Sequence, residues 1–371
     1  MAQDLRQTMN SVADYPGPMF SAYLSVNPAV PENQGQAYLV RLRDAMNDHG
    51  VPEELQKRIR GHVEGERHPR ARTLALFAAE DDLFEVYRLP VDLPESFRWG
   101  DSYVAPLVLA LDEYEPYGVA LLDAERFRYF VTSPVALPPG SAEYIGASGY
   151  REVDLHPNRP YPRGGGSTDM DAAGRKQEAN VHRFYKELGE LTRRLTFQEG
   201  VKHLILAGPR ERTSEFRDLL PKEVQELVVS EEHVNMGESE GKILDSLEEV
   251  RERSEREREG RMLAQVRESG VSGLDETLAA LQEENRVYYL MALWDPAGEI
   301  RWCDNDRLAI RGTTAEECPF CGQKTRVRPL IDVLVDVAAV RGARLNFIRG
   351  ENENSDTLRE EFGGLAGLTR Y

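Results

Sequence analysis

The sequence predicts an α/β protein with three domains. Its 371 residues are enough for two or three domains with cores of their own. Short apolar segments of strand type alternate along the chain with segments whose apolar residues recur at helical spacing. Acids and a proline interrupt this pattern at 113–116, and a highly charged segment interrupts it again after residue 250. We therefore predict domains at 1–113, 114–250 and 251–371.

The first domain contains both strand and helix patterns. Its proline-rich segment 89–100 is predicted to be irregular, because proline cannot donate a hydrogen bond to a sheet. A further apolar segment closes the domain at Ser102–Tyr114. The predicted elements are a strand at Phe20–Val26, helices at Gln36–Asn47 and from Pro52, and paired strands at Thr73–Ala78 and Leu83–Leu89.

The second domain begins with a predicted hairpin and continues as alternating helices and strands. Its longest helix begins near Ala172 and has an apolar face that includes Val181, Tyr185 and Leu188. The other predicted elements are hairpin strands at Tyr117–Asp123 and Arg126–Val131, strands at Val201–Ala207 and Leu227–Val229, and a helix from Ser214 to Leu220.

The third domain is reached through one long predicted helix, Glu240–Glu268. Its middle, RERSEREREGR, is almost wholly charged, which is typical of a solvated helix that connects two domains. The remaining predicted elements are helices at Leu274–Leu281, Leu330–Val340 and Leu358–Glu361, and strands at Val287–Trp294 and Ala343–Ile348.

The composition limits the classes of function. A formal net charge of −18 argues against non-specific coating of DNA or RNA, although a local basic patch can still hold a nucleic acid. Three cysteines do not make a disulfide scaffold. The N-terminus lacks a secretory pattern, and no apolar run approaches the roughly 20 residues of a membrane helix. We expect a cytoplasmic monomer with no membrane partner.

One stretch, 159–194, differs in charge from the rest of the chain. It contains eight basic and five acidic residues, a local balance of +3. Its glycine-rich start exposes backbone amides and its arginines offer charge-assisted hydrogen bonds, a combination that suits phosphate. The alternative is a surface loop followed by an ordinary amphipathic helix. The candidate binding residues are Arg159, Arg163, Gly164, Gly165, Gly166, Ser167, Arg175, Lys176, Gln177, His182, Arg183 and Lys186.

All three cysteines lie in one segment, 301–326. Cys318 and Cys321 form a Cys-Pro-Phe-Cys-Gly half-site of the zinc-knuckle type. Cys303 precedes Asp306 by three residues, so an aspartate stands where the fourth cysteine of a zinc ribbon would be. Because a carboxylate can ligate zinc, we predict a structural zinc site of three cysteines and one aspartate. The alternatives are a weakened site and a relic that has lost its metal.

The C-terminal segment is similar to the last domain of archaeal and eukaryotic class-one peptide chain release factors and Pelota. That similarity rests on Phe362, Gly363, Gly364, Leu365, Gly367, Arg370 and Tyr371, which reproduce the family's ending in order. The segments YGVALLD, RGGGS to HRFYKEL, VKHLILAGP and EGKILDSLEEV resemble the family's middle domain and the helix that leaves it. The resemblance covers 113–371 and extends to the bacterial group that includes the ribosome hibernation factor Balon.

This resemblance implies a release factor- and Pelota-like architecture with a ribonuclease H-like middle domain and a zinc-ribbon-like insert in the third domain. It also implies binding to ribosomal RNA of the aminoacyl-tRNA site and the peptidyl transferase centre through the stretch 159–194. A translational GTPase, elongation factor Tu in bacteria, is the implied protein partner. The sequence departs from the family's catalytic Gly-Gly-Gln, because Ser167 follows Gly164, Gly165 and Gly166. It also lacks the Asn-Ile-Lys-Ser loop that reads stop codons.

Three functions follow from these features. The first is a non-catalytic factor that occupies the aminoacyl-tRNA site as a tRNA mimic, in hibernation or in recognition of stalled ribosomes. The second is a codon-independent peptidyl-tRNA hydrolase, with Gln177 as the nearest glutamine to the loop. The third is a nuclease on the ribonuclease H-like fold, which would need clustered carboxylates around Asp123. We predict the first, without a catalytic residue.

Overall fold

The computed structural model assigns the chain to two compact units. One unit combines residues Met1–Glu113 with Arg253–Tyr371, and the other is Tyr114–Glu252. The predicted α/β class is confirmed, and each of the three predicted domains contains a sheet of its own. The residues that the structure describes are 9, 12–27, 30–65, 71–89, 91–113, 117–123, 126–132, 150–155, 170–235, 240–311 and 316–370.

The N-terminal part of the first unit is an antiparallel sheet of order β3-β2-β1-β4. Two helices cover it, and Leu42, Met46 and Ile59 from these helices pack against Phe20 and Leu74 of the sheet. These elements are β1 (Met19–Ser25), α1 (Tyr38–Asp48), α2 (Glu53–Gly65), β2 (Thr73–Ala78), β3 (Phe84–Leu89), β4 (Ser96–Gly100) and α3 (Ala105–Glu113).

The prediction that 89–100 is irregular is wrong for its second half, which forms β4. This strand pairs with β1 from Met19 opposite Gly100 to Tyr23 opposite Ser96. It lies at the edge of the sheet, so Pro94 just before it removes no bond from the ladder. The apolar segment that follows is the helix α3, which packs on the C-terminal part of the same unit.

The second unit is built on a five-stranded sheet of order β7-β6-β5-β8-β9 among the described residues. Strands β5, β8 and β9 are parallel, whereas β6 and β7 are antiparallel to their neighbours. This mixed sheet agrees with the ribonuclease H-like prediction. The elements are β5 (Tyr117–Leu122), β6 (Phe127–Thr132), β7 (Tyr150–Leu155), α4 (Met170–Gln198), β8 (His203–Ala207), α5 (Arg210–Leu219), α6 (Lys222–Gln225) and β9 (Val228–Glu232).

A glycine sets the turn between β8 and α5. Gly208 has a φ of +145°, and a Cβ there would lie closer than 3.0 Å to the carbonyl oxygen of Leu122. Its amide donates to the carbonyl of Glu232 at 2.9 Å. Only a residue without a side chain can connect neighbouring strand ends this closely.

The C-terminal part of the first unit has a sheet of order β10-β16-β11-β15, in which only β11 and β15 are parallel. Leu263 and Leu358 from two helices pack on Tyr289 and Met291 of the central strand β11. The elements are α7 (Glu240–Ser269), β10 (Val271–Ser272), α8 (Leu274–Gln282), β11 (Val287–Leu293), β12 (Glu299–Cys303), β13 (Leu308–Ile310), β14 (Arg326–Pro329), α9 (Leu330–Arg341), β15 (Arg344–Ile348), α10 (Glu353–Glu360) and β16 (Leu365–Thr369).

The long helix α7 departs from the predicted solvated connector. Three charged residues on one of its faces, Arg251, Glu255 and Glu259, are each no more than 9% exposed. Arg258, on the neighbouring part of the same face, contacts both Glu255 and Asp112. The charged segment is therefore partly a packed interface within the described structure, because its charges find partners outside the helix.

One further boundary differs from the sequence prediction. Helix α10 begins five residues earlier than predicted, because the side chain of Asn352 accepts bonds from the amides of Asn354 and Ser355. The Phe-Gly-Gly ending contains the strand β16, which lies between β10 and β11 inside the sheet.

Within the described part of the chain, no helix combines the length and the apolar content needed to cross a membrane.

Candidate functional site

The four predicted metal ligands come together in the insert. Ligand atoms of Cys303, Asp306, Cys318 and Cys321 all lie within 4.8 Å of one another. The sulfurs of Cys303 and Cys321 are 3.5 Å apart, and Asp306 Oδ2 lies 3.1 Å from Cys318 Sγ and 3.7 Å from Cys303 Sγ. The sequence spacing therefore identified the cluster that the fold assembles.

Two tight turns form the cluster. The first follows β12, where the amide of Asp306 points to Cys303 Sγ at 3.4 Å. The second lies between Cys318 and Gln323, where Gly322 donates to the carbonyl of Cys318 at 2.9 Å and has a φ of +72°. The first turn directs a backbone amide towards a sulfur, as metal knuckles do, and the second brings Cys318 and Cys321 together.

The separations fit a tetrahedral ion. Zinc bonds of about 2.3 Å to sulfur and 2.0 Å to oxygen place neighbouring ligand atoms about 3.5 to 3.8 Å apart in a tetrahedron. The separations of 3.5 Å and 3.7 Å lie in this range, and that of 3.1 Å between Asp306 and Cys318 is shorter. With four protein ligands, such a site is closed and structural, since no position is left for a substrate.

Hydrogen bonds couple the carboxyl group of Asp306 to the thiols. A bond from Cys321, supported by one from Cys318, lowers the pKa of Asp306. The bond to Asp306 in turn raises the pKa of Cys321 to about 12. A metal ion would replace these bonds and take the cysteines as thiolates, so its binding releases protons.

The structure describes the side chains of three of the predicted binding residues on α4. Val181, Tyr185 and Leu188 are buried, which confirms the predicted apolar face of this helix. The predicted binding residues His182, Arg183 and Lys186 are exposed. Because they are spaced by three and four positions, they form one contiguous exposed surface, which we call the α4 basic surface.

The glycine-rich candidates lie outside the described residues. These are Arg159, Arg163, Gly164, Gly165, Gly166 and Ser167. Arg175, Lys176 and Gln177 belong to the backbone of α4, so Gln177 is part of a helix that begins seven residues earlier. The binding role of all twelve candidates stays a prediction.

A cavity of about 620 Å³ opens at the carboxyl ends of β5, β8 and β9. Asp123, Arg126, Arg210 and His233 are among its lining residues. Asp123 is held by its own turn, because it pairs with the Arg126 guanidinium at 2.9 Å and accepts a hydrogen bond from the Arg126 amide at 2.7 Å.

In the described part of the chain, the cysteine cluster is the one group of three or more metal-ligating side chains. The nuclease alternative therefore gains no support from the described residues.

Sequence comparison relates the chain to known proteins. Residues 103–252 match the family model described as "Bacterial archaeo-eukaryotic release factor family 10". This segment of the chain is similar to the bacterial archaeo-eukaryotic release factors. The resemblance seen in the sequence is thereby confirmed at the level of the release factor-like family.

One curated relative and two solved structures are similar to the chain. "Peptide chain release factor subunit 1" of Archaeoglobus fulgidus is 24% identical over 322 residues, which cover 79% of this chain and 75% of the relative. The archaeal termination factor aRF1 matches at 16% identity and a TM-score of 0.27, covering 100% of this chain and 98% of that chain. A model of ribosome-bound archaeal Pelota and ABCE1 matches at 13% identity and a TM-score of 0.41, covering 100% and 94%.

Proposed function

We propose that this release factor-like protein binds the ribosome as a tRNA mimic in the aminoacyl-tRNA site and does not hydrolyse peptidyl-tRNA. The observation that carries the proposal is the α4 basic surface, which lies inside the segment matched by the release factor family model. Its three residues belong to the stretch 159–194, whose local charge is +3 in a chain of −18. A basic surface of this kind suits the phosphates of ribosomal RNA.

Two features, the loop sequence and helix α4, disfavour hydrolysis. Ester hydrolysis needs a water positioned beside the carbonyl, and its rate depends on that geometry. Ser167 stands where the family has glutamine, and it is shorter. Gln177 lies within the helical backbone of α4, so it could reach the loop tip only if the first two turns of the helix unwound. The protein protects idle ribosomes or marks stalled ones, with a GTPase of the elongation factor Tu type as its partner.

The α4 basic surface is tested by co-sedimentation with ribosomes over a salt series. We expect Arg183→Glu combined with Lys186→Glu to weaken binding at least about tenfold and to reduce the salt slope by about two phosphate contacts. A matched control is Lys202→Glu with Lys222→Glu, because both lysines are exposed in the same unit. If the first variant sediments as well as the parent protein, the assignment of the surface is wrong.

The catalytic alternative is tested by release of labelled peptide from ribosomes that carry peptidyl-tRNA, with elongation factor Tu and GTP present. We expect no release above background, with or without a stop codon. Release that disappears in Ser167→Ala or Gln177→Ala would establish the hydrolase instead. A structure of the protein on idle and on stalled ribosomes would then distinguish hibernation from stalled-ribosome recognition.

A further inference from the structure

An arginine of the insert joins the metal cluster to the N-terminal sheet. The guanidinium of Arg326 donates to Asp304 at 3.0 Å through Nη2, and its Nη1 donates to Asp101. Asp304 directly follows the ligand Cys303, whereas Asp101 directly follows the edge strand β4. We call Asp304, Arg326 and Asp101 the arginine bridge.

A second, buried arginine lies beside the bridge. Arg328 is two residues further along β14 and therefore faces the same side of the strand. Its side chain is only 7% exposed, it pairs with Asp336, and its Nε lies 3.6 Å from Asp101. Asp101 thus faces two guanidinium groups of the same short strand, which makes β14 the docking edge for this part of the N-terminal segment.

Strand β14 is connected to the cluster through β12. The strand pairs only with β12 among the described strands, and β12 ends at Cys303. The apolar cluster of the insert consists of Cys303, Ile310 and Cys318, with Leu308 and Cys321 packed against it. Three of these five residues are candidate metal ligands. A core this small has little apolar area to stabilise it, so the free energy of metal binding becomes folding free energy for the insert.

We propose that metal binding at the cluster controls how firmly β4 and the following residues to Tyr103 are held, with the arginine bridge as the connecting contact. With the ion bound, the turn after Cys303 holds Asp304 against Arg326, and Arg326 is oriented towards Asp101. Without the ion, the turn loosens, Arg326 loses this orientation, and the edge strand opens more often. The bridge is suited to reversible coupling, because its side chains are 44% to 59% exposed and such ion pairs contribute little on their own. This inference does not depend on the proposed function.

Hydrogen exchange of the full chain tests the coupling. Protein loaded with Zn²⁺ is compared with protein stripped by a chelator in the presence of a thiol reductant. We expect stripping to speed amide exchange in the insert and, by about fivefold, in residues 96–103. Faster exchange in the insert with unchanged exchange in 96–103 would overturn the proposal, as would a protein that takes up no Zn²⁺.

Two variants separate the bridge from general loosening. Arg326→Gln should exchange faster in 96–103 even with Zn²⁺ bound, and stripping should add little, whereas its Zn²⁺ content stays that of the parent protein. Lys324→Gln removes the same charge from an exposed position of the insert and should behave like the parent protein. If Arg326→Gln and the parent protein respond equally to stripping, Arg326 does not transmit the metal state.

Discussion

At the scale of single residues, Gly208 is a position of the middle unit where a side chain cannot be accommodated without strain. Substitution by alanine forces a Cβ against the carbonyl oxygen of Leu122 and keeps a backbone angle that side chains avoid. We expect Gly208→Ala to lower the free energy of unfolding of this unit by about 3 kcal/mol or more. The measurement is urea unfolding followed by circular dichroism.

Two features of the chain sharpen this experiment. Gly200→Ala is the matched control, because Gly200 has a φ of +67° but no atom within 4 Å of its would-be Cβ, so about 1 kcal/mol is expected. The three tryptophans, Trp99, Trp294 and Trp302, all belong to the other unit. The unfolding transition seen by tryptophan fluorescence should therefore be the same in Gly208→Ala as in the parent protein. A shifted fluorescence transition would contradict the explanation that the substitution acts only within the middle unit.

The metal ligands give a second prediction at this scale. We expect one zinc ion per chain in protein purified without added metal, as measured by elemental analysis. Cys318→Ser and Asp306→Asn should each lower the affinity for zinc by more than about 100-fold, because each removes a direct ligand. Asp304→Asn should keep the ion, since this neighbouring acid is outside the cluster. If the purified protein contains no zinc and a chelator does not change its thermal stability, the relic alternative is supported.

At the scale of elements, α7 shows why a charged helix can be an interface. Arg258 has a side chain only 12% exposed and contacts Glu255 and Asp112, and Asp112 is also bound by Arg344 at 2.9 Å. We expect Arg258→Gln to destabilise its unit by about 2 kcal/mol, because it removes a buried guanidinium that two carboxylates share, while Asp112 keeps Arg344. Urea unfolding followed by tryptophan fluorescence measures this change.

Arg261 provides the control on the same helix. It is exposed, so Arg261→Gln should change the free energy of unfolding by no more than about 0.5 kcal/mol. Equal effects of the two substitutions would mean that helix propensity or net charge, rather than the buried contacts, decides the stability of α7.

Sequence patterns predicted some of these elements and not others. The hairpin of β5 and β6 and the apolar face of α4 were predictable, because Val181, Tyr185 and Leu188 recur at a spacing that only a helix brings together. The metal cluster was predictable because the spacing of its ligands is itself the signal. The strands β4, β7 and β12 to β14 were not, since they are short and lack an apolar run.

The burial of Arg258 could not be predicted from α7 alone. Its partner Asp112 lies 146 positions away in the chain, so no local sequence pattern predicts the contact. The same holds for Arg98 and Asp332, which are 234 positions apart. In both cases the sequence shows a charge, and only the assembled unit shows whether that charge is solvated.

At the scale of the whole molecule, the contact between Arg98 and Asp332 joins the N-terminal sheet to α9 at 2.7 Å. Burial raises the pKa of Asp332 to about 6, an effect that outweighs the nearby Arg98 and Arg328. Because the folded pKa exceeds the unfolded value, the proton is bound more tightly in the folded state. The contribution of this group to stability is therefore full below about pH 4 and is lost as pH rises through about 6.

This titration is measured as the difference in unfolding free energy between the parent protein and Asp332→Asn from pH 4 to pH 8. We expect the difference to move in favour of Asp332→Asn by about 2.5 kcal/mol across this range. Other carboxyl groups titrate in both proteins and cancel in the difference. A difference that is flat, or that moves the opposite way, would mean that the arginines rather than burial control this carboxyl group.

The first unit is made of two segments that are far apart in the sequence, and this affects its folding during synthesis of the chain. Residues 1–113 leave the ribosome early, but Asp112 and Arg98 find their partners only when Arg258, Asp332 and Arg344 have been made. At a rate of about 5 to 20 residues per second, this delay is on the order of ten seconds or more. The middle unit, which is continuous in sequence, can fold during that interval. The N-terminal part of this unit emerges first and docks last, so the exposed docking surface of α3 must avoid other contacts in the nascent chain until its own C-terminal partner has been made.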